Sequence, residues 1–205
     1  MRVNLAATKT NLLSVKKTLT LAHEGFELLD EKRRILINEL NTIIHIAERL
    51  ERETDALLTE GYALVDKAVV LMGRQRLEAL SFSIDINHSL TIAQKRVMGV
   101  NVPAINLRTV ENPPYYSPLE VSLIVDEIIA KFKEIIKKMA ELAEKKIAIL
   151  RLAKEVQKTI RKVNALEKIY IPYYASASKS ISDRLDEESR DAFSMLKMIK
   201  ARIRQ

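Results

Sequence analysis

The chain contains no cysteine and no tryptophan, and only four glycines and five prolines in 205 residues. Each scarcity excludes something. Without cysteine there is no disulfide framework, no thiolate nucleophile and no sulfur ligand for a metal. With so few glycines, a backbone cradle for phosphate is hard to build, and neither a GxGxxG nor a GxxxxGK pattern occurs. Aromatic residues make up 5% of the chain, too few for a core built on rings. Apolar runs are short: Ala68–Met72 lasts five residues, against the ~20 that a membrane-spanning helix requires. The first ten residues are too polar for a secretory leader. A soluble or peripherally attached protein is expected, with no direct membrane insertion.

Charge and helix-forming residues are plentiful. Charged residues reach 30%, and the net charge is +7. From Leu12 to Leu71, alternating steps of three and four land on Leu12, Val15, Leu19, Ala22, Phe26 and Leu29, and then on Leu36, Leu40, Ile43, Ala47 and Leu50. The same steps reach Leu57, Leu64, Ala68 and Leu71. Only Arg33, Thr54 and Gly61 interrupt the stripe, and they read as tolerated weak points. A repeat averaging 3.5 residues is the coiled-coil signature, and no proline breaks it. Sixty helical residues span about 90 Å, so the stripe needs a second helix of similar length.

That partner is expected after residue 117. Val121, Val125, Ile128, Phe132, Ile135, Met139, Leu142, Lys146, Ile149, Ala153, Val156, Ile160 and Val163 hold the same spacing. Leu166, Tyr170, Tyr174, Ala177 and Ile181 continue it loosely. Ser117 is the expected N-cap and Pro118 the first helical residue. Pro172 falls inside the helix, where it removes a backbone bond and clashes with the Lys168 carbonyl, so a kink is expected there. At the other end of the chain, Thr8 is the expected N-cap of the first helix.

Between the two helices the period changes to two. Ser89-Leu90-Thr91-Ile92-Ala93-Gln94 alternates, as do Val100-Asn101-Val102 and Ala104-Ile105-Asn106-Leu107. A β-hairpin is expected, with arms near 89–97 and 100–108, a turn at Gly99, and Pro103 marking an edge strand. The fold class is therefore mainly α: a long antiparallel two-helix coiled coil with a small β-hairpin inserted. The divisions are 1–76 for the first helix, 77–117 for the insertion and 118–205 for the second helix, all one continuous structural domain. If Leu71 lies beside Val121, Leu12 lies near residue 180, and the last twenty-odd residues project beyond it as a basic spike. The expected shape is a rod with two different ends.

The residues point away from catalysis. His23 and His45 are too far apart along one helix to share a metal, and His88 sits by the hairpin turn region. No nucleophile, base and orienting group recur together, and no cofactor is implied. Nucleic-acid binding is the rival reading for a basic helical chain, alongside a free-standing coiled-coil tether. However, Lys137-Lys138 and Lys145-Lys146 are balanced by Glu134, Glu141 and Glu144. Only the C-terminal stretch, with Lys197, Lys200, Arg202 and Arg204 and no acid after Asp191, is unopposed.

Five stretches carry a resemblance. They are Ala7-Thr8-Lys9 followed by Leu12-Leu13; Gly25-Phe26-Glu27-Leu28-Leu29 with Lys32-Arg33; Val97-Met98-Gly99-Val100-Asn101-Val102-Pro103; Arg161-Lys162-Val163-Asn164-Ala165-Leu166-Glu167 with Ile171-Pro172; and Phe193-Ser194-Met195-Leu196-Lys197. In this order they resemble the D subunit of the V-type and archaeal A-type rotary ATPases. The resemblance implies a non-catalytic central rotor shaft that couples ATP hydrolysis or synthesis to proton or sodium transport. It implies a place in the cytoplasm, peripheral to the membrane. The implied partners are the small F subunit, the A and B subunits of the catalytic head, and the C (d-type) subunit near the membrane ring, with no nucleic acid. Arg2, Thr8, Lys9, Lys197, Lys200, Arg202 and Arg204 are expected to face the head. Met98, Gly99, Val100, Val102 and Pro103 are expected to meet the F subunit, and Asn164 and Pro172 are expected to be structural.

Overall fold

The computed structural model describes residues 6–84, 86–111, 113, 115–117 and 121–203. Helix α1 spans Lys9–Met72, α2 Arg74–Ser83, α3 Ile124–Ala165 and α4 Ile171–Ile203, with a π-helical segment at Leu166–Tyr170 between the last two. Strands β1 (Ile86–Val97) and β2 (Val100–Glu111) form one antiparallel sheet. The fold is mainly helical, as expected, with long N- and C-terminal helices and the hairpin between them.

Helix α1 starts where its cap residue allows. Thr8 Oγ1 accepts the Asn11 N–H at 3.2 Å, supplying one of the partners that the first helical turn lacks. The expected stripe is the face that α1 buries: Val15, Ala22, Leu36, Ala47, Leu50, Thr54, Gly61 and Ala68 are all buried. Two of its interruptions are well-packed positions instead of weak ones. The buried Thr54 hydroxyl donates to the Leu50 carbonyl one turn back, at 2.6 Å. Gly61 leaves room for its neighbours: a Cβ there would stand 3.1 Å from Ile135 Cδ1 and 3.4 Å from Phe132 Cε2. Arg33 is partly buried and pairs with Asp30, which Arg34 also contacts at 2.9 Å. At the far end of the stripe, Leu71 is exposed, and Gly73 ends the helix with φ at 82° while its N–H donates to the Val69 carbonyl. The left-handed backbone there suits glycine.

The chain divides into two compact units, residues 36–155 and residues 1–35 with 156–205. In the first, α1 and α3 pair antiparallel in the expected register. Lys131 meets Glu60 at 2.6 Å, Lys138 meets Glu53 at 3.0 Å and Lys146 meets Glu51 at 2.6 Å. The Tyr62 and Phe132 rings meet edge to face, with centroids 6.0 Å apart. Ile135 and Leu152 are fully enclosed. In the second unit, Val15 packs with Ala177 and Ile181, with Leu12, Tyr174 and Leu185 around them.

Three expectations need correction. Helix α3 begins at Ile124, not Pro118: Ser117 is exposed and non-helical, Ser122 Oγ accepts the Ile124 N–H, and Asp126 and Glu127 occupy the acid-favouring first turn. Pro118 lies outside the described residues. The stripe of α3 also shifts. Met139, Lys146 and Ala153 are exposed, whereas Ala148, Leu152 and Thr159 are buried. The buried residues Leu152, Val156, Thr159 and Val163 still step by fours and threes, so the seam continues in a shifted phase, while Glu144 and Arg151 meet the hairpin. Pro172 falls, as expected, inside a helical run that is unbroken from Ile124 to Ile203, just after the π segment, in which Ile171 N–H bonds five residues back to the Leu166 carbonyl. The wider turn accommodates a ring that an uninterrupted α-helix would crowd. Finally, α2 was not expected, and each hairpin arm is three residues longer than its alternation suggested.

Candidate partner interfaces

The hairpin turn consists of Met98 and Gly99, with φ of 48° and 81°. Two positive φ values mark the type I′ turn, whose twist matches that of paired strands. Glycine adopts this region freely; Met98 does so against its own Cβ. Met98 is half exposed, so its side chain is held out at the tip.

The register follows from the turn. Val97 and Val100 close the ladder, so odd-numbered residues of β1 bond to even-numbered residues of β2. The outward-pointing backbone groups of β2 then belong to Asn101, Pro103, Ile105 and their successors at intervals of two. Helix α3 meets them: Glu144 Oε2 accepts the Ile105 N–H at 2.8 Å, and an Arg151 Nη donates to the Asn101 carbonyl at 2.8 Å. Pro103 lies between them at a position where the ladder asks for no N–H, so it costs the sheet nothing. Val102 and Pro103 are buried; of the residues expected to meet a partner, Met98 and Gly99 are exposed and Val100 is partly so. β1 lies on the outside, and Asn87 to Arg96 are exposed on both faces.

Burial pushes the Glu144 carboxyl up, but Lys145 Nζ at 2.7 Å and the Ile105 N–H outweigh it. The group ends below the ordinary value of 4.5. Where β2 leaves the sheet, the Lys133 ammonium lies 2.7 Å from Glu111 and holds that carboxyl below its ordinary range against the opposing effect of burial. Lys133 also sits 5.3 Å from the Tyr115 ring centroid. Nearby, burial and a hydrogen bond to Asp126 push the Tyr116 phenol up to about 12. These contacts tie the loop to α3.

Two other surfaces expose apolar side chains. On α4, Phe193, Leu196, Ile199 and Ile203 recur at helical spacing and are exposed, interleaved with exposed Lys197, Lys200 and Arg202. Lys9 is exposed beside the Thr8 cap, while Arg2 and Arg204 lie outside the described residues. In unit 36–155, Val70, Leu71, Phe82 and Leu123 are exposed around the meeting of α1, α2 and the start of α3. There Leu77, Leu80 and Ile84 share an apolar cavity of about 300 Å³ with Val65, Val125 and Ile128. Asn164 is exposed near the end of α3. His45 lies 3.8 Å from Glu48, and His88 Nδ1 lies 3.2 Å from Thr109 Oγ1. Among the described residues, no three of His, Asp and Glu converge as a metal site, and no helix is long and apolar enough to cross a membrane.

A mainly helical chain with an inserted hairpin has many possible owners, and comparison with known sequences decides between them. The family model for the D subunit of ATP synthase matches residues 11–201. The chain belongs to the ATP synthase D-subunit family. Its relatives include the A-type ATP synthase D subunit of Thermococcus sibiricus, 36% identical over 197 residues, covering 95% of this chain and 92% of the relative. That of Thermococcus kodakarensis is 35% identical over 204 residues, covering 98% and 95%. The V-type ATP synthase D subunit of Thermotoga neapolitana is 31% identical over 201 residues, covering 98% and 99%. The resemblance carried by five short stretches thus extends along nearly the whole chain.

Proposed function

We propose that this member of the D-subunit family is the non-catalytic central rotor shaft of an A/V-type ATPase, passing torque between the A/B catalytic head and the membrane ring. In this role it couples ATP hydrolysis or synthesis to proton or sodium transport. The observation that carries the reading is the antiparallel helix pair itself. Its apolar stripe is buried, and it is flanked by the Lys131–Glu60, Lys138–Glu53 and Lys146–Glu51 bridges. As solvent-exposed ion pairs they add little to stability, but they mark the register in which the two helices lie side by side.

The remaining surfaces support a division of partners. The exposed, cationic and apolar end of α4, together with Lys9 and the flanking Arg2 and Arg204, faces the head through many weak contacts, because a shaft bound strongly at one angle would stall there. The strained, exposed Met98 with Gly99 and Val100 forms the tip that meets the small F subunit, and buried Val102 and Pro103 hold that tip in place. The exposed apolar cluster of Val70, Leu71, Phe82 and Leu123 suits the C (d-type) subunit. Such a protein works in the cytoplasm, peripheral to the membrane.

The test is co-expression with the A, B, C and F subunits, followed by single-molecule observation of ATP-driven rotation with the probe on this chain. Rotation of the probe is the expected result. Isolation of a head complex lacking this chain, or salt-sensitive nucleic-acid binding in place of assembly, would overturn the proposal. Neutralising Arg2, Lys9, Lys197, Lys200, Arg202 and Arg204 together is expected to weaken head assembly; unchanged assembly and rotation would remove the basic end from the argument.

A further inference from the structure

We propose that the outer edge of β1 is a strand-addition site, which takes an extended segment of another polypeptide in the assembled complex as a third strand. The proposal rests on the shaft reading above and says how the hairpin engages its partner.

The sheet has two strands, hence two edges. The edge on β2 is closed from Asn101 to Ile105 by Glu144, Arg151 and the missing donor of Pro103. On β1 the register turns the backbone N–H and C=O groups of Ile86, His88, Leu90, Ile92, Gln94 and Arg96 outward. Among the described residues no hydrogen bond meets them. Proteins normally blunt such an edge with a proline, a bulge, a short strand or charged side chains, Lys above all. β1 is continuous over 12 residues and carries Lys95 and Arg96 only at its turn end; from Ile86 to Gln94 it has no Lys, Arg, Asp or Glu and no proline, and it pairs with β2 without a skipped residue. A row of alternating donors and acceptors of this length is matched by another extended backbone.

The side chains describe that backbone. Leu90 and Ile92, 51% and 62% exposed, lie on one face beside the Ile105 and Leu107 to which they pair across the ladder. An added strand extends this face by placing alternate apolar residues next to them. Within the sheet, Lys95, Arg96 and Arg108 stand against one carboxylate, Glu111, and Lys133 already engages it. An acid-bearing strand is therefore favoured, and a second copy of this cationic hairpin is disfavoured.

The test reads individual backbone amides of the full chain by hydrogen exchange, free and assembled with co-expressed A, B, C and F subunits. In the free chain, Thr91 and Ala93 exchange slowly because they bond to β2, and Leu90, Ile92 and Gln94 exchange fast. Assembly is expected to slow the latter set by about tenfold or more. Ile92→Pro deletes an outward N–H and leaves the internal ladder whole, as Pro103 does naturally. It is expected to abolish the added protection at Leu90 and Gln94, whereas Ile92→Thr retains it. A complex in which Leu90, Ile92 and Gln94 remain fast overturns this proposal alone. So does uniform slowing of surface amides that Ile92→Pro leaves intact, which signals packing on a face instead of pairing at an edge. A free chain that sediments as a dimer, and that Ile92→Pro returns to monomer, assigns the edge to a second copy and overturns the stated occupant. A chain that does not assemble overturns the shaft reading and this proposal with it.

Discussion

β1 and β2 have equal length, pair residue for residue and draw on the same alternation of polar and apolar residues, yet they meet opposite fates. β2 is held from outside by α3, through a carboxylate, a guanidinium and a buried proline. β1 is exposed from Asn87 to Arg96. An isolated two-stranded hairpin is marginal in water, so the closed edge on β2 is what lets the open edge on β1 persist. The difference shows that the hairpin is anchored by one strand and presented by the other.

Identical chemistry placed on the two strands should give unequal results. Val102→Asp puts a carboxylate at a position that is only 6% exposed, and is expected to cost about 3 kcal/mol or more. Leu90→Asp, on the open strand, is expected to change stability by no more than about 0.5 kcal/mol. Urea unfolding of the two variants measures the gap, and equal losses would erase the distinction between the strands.

Removing the latch comes next. Glu144→Ala leaves the part-buried Ile105 N–H without its charged acceptor, at an expected cost of about 1.5–3 kcal/mol. The loss should appear as faster amide exchange in the hairpin. The same latch predicts a pH effect. The folded-state pKa of Glu144 is depressed below 4.5, so its contribution is present above the unfolded value and disappears as pH falls through the folded one. Protection of the Ile105 amide, corrected for intrinsic exchange, should be constant near neutrality and decline in acid below 4.5, and Glu144→Gln should flatten that decline. Glu111 titrates in the same direction, so Glu111→Gln is the matching control. A smaller effect than loss of the latch is expected at the turn between the strands. Met98→Gly relieves a left-handed non-glycine residue and should stabilise the hairpin by about 1 kcal/mol, read as a higher melting temperature. If Met98 is a contact residue, the same variant binds the F subunit more weakly despite folding better.

Much of this was legible in the residues. The stripe of α1 appeared as it is buried, because a narrow seam facing one helix leaves a clean 3.5-residue repeat. Its register against α3 followed from Leu71 opposite Val121 and reappears in the Lys138–Glu53 and Lys131–Glu60 bridges. Helix α3 was harder to read because its apolar residues can be stepped in two phases. Lys146 and Ala153 fit the seam by spacing, but the buried phase runs through Leu152, Val156, Thr159 and Val163. The short α2 left a signal in Leu77, Leu80 and Ile84 at helical spacing, outside the heptad and therefore overlooked. The start of α3 was misplaced because Ser117-Pro118 matches a helix-start pattern, while Ser122, with Asp126 and Glu127 after it, does the capping. Among the residues expected to meet partners, the alternation did not tell that Val102 and Pro103 are buried while Met98 and Gly99 are exposed.

By itself, then, the sequence determined the long helices, the antiparallel register, the inserted hairpin with its turn and the family, because each is written as local periodicity or as residues close together in the chain. Only the tertiary structure decided that Thr54 and Gly61 are packed positions, that a π turn accommodates Pro172, and that Glu144 and Arg151 close one edge of the sheet. The packing at Gly61 and the closed sheet edge depend on which groups from distant parts of the chain come within 3 to 4 Å of one another, a distance that no spacing along the sequence encodes. The stripe on α1 specifies a partner helix. The open edge of β1 became visible as a second unmet demand only once α3 was seen to close the opposite edge on β2.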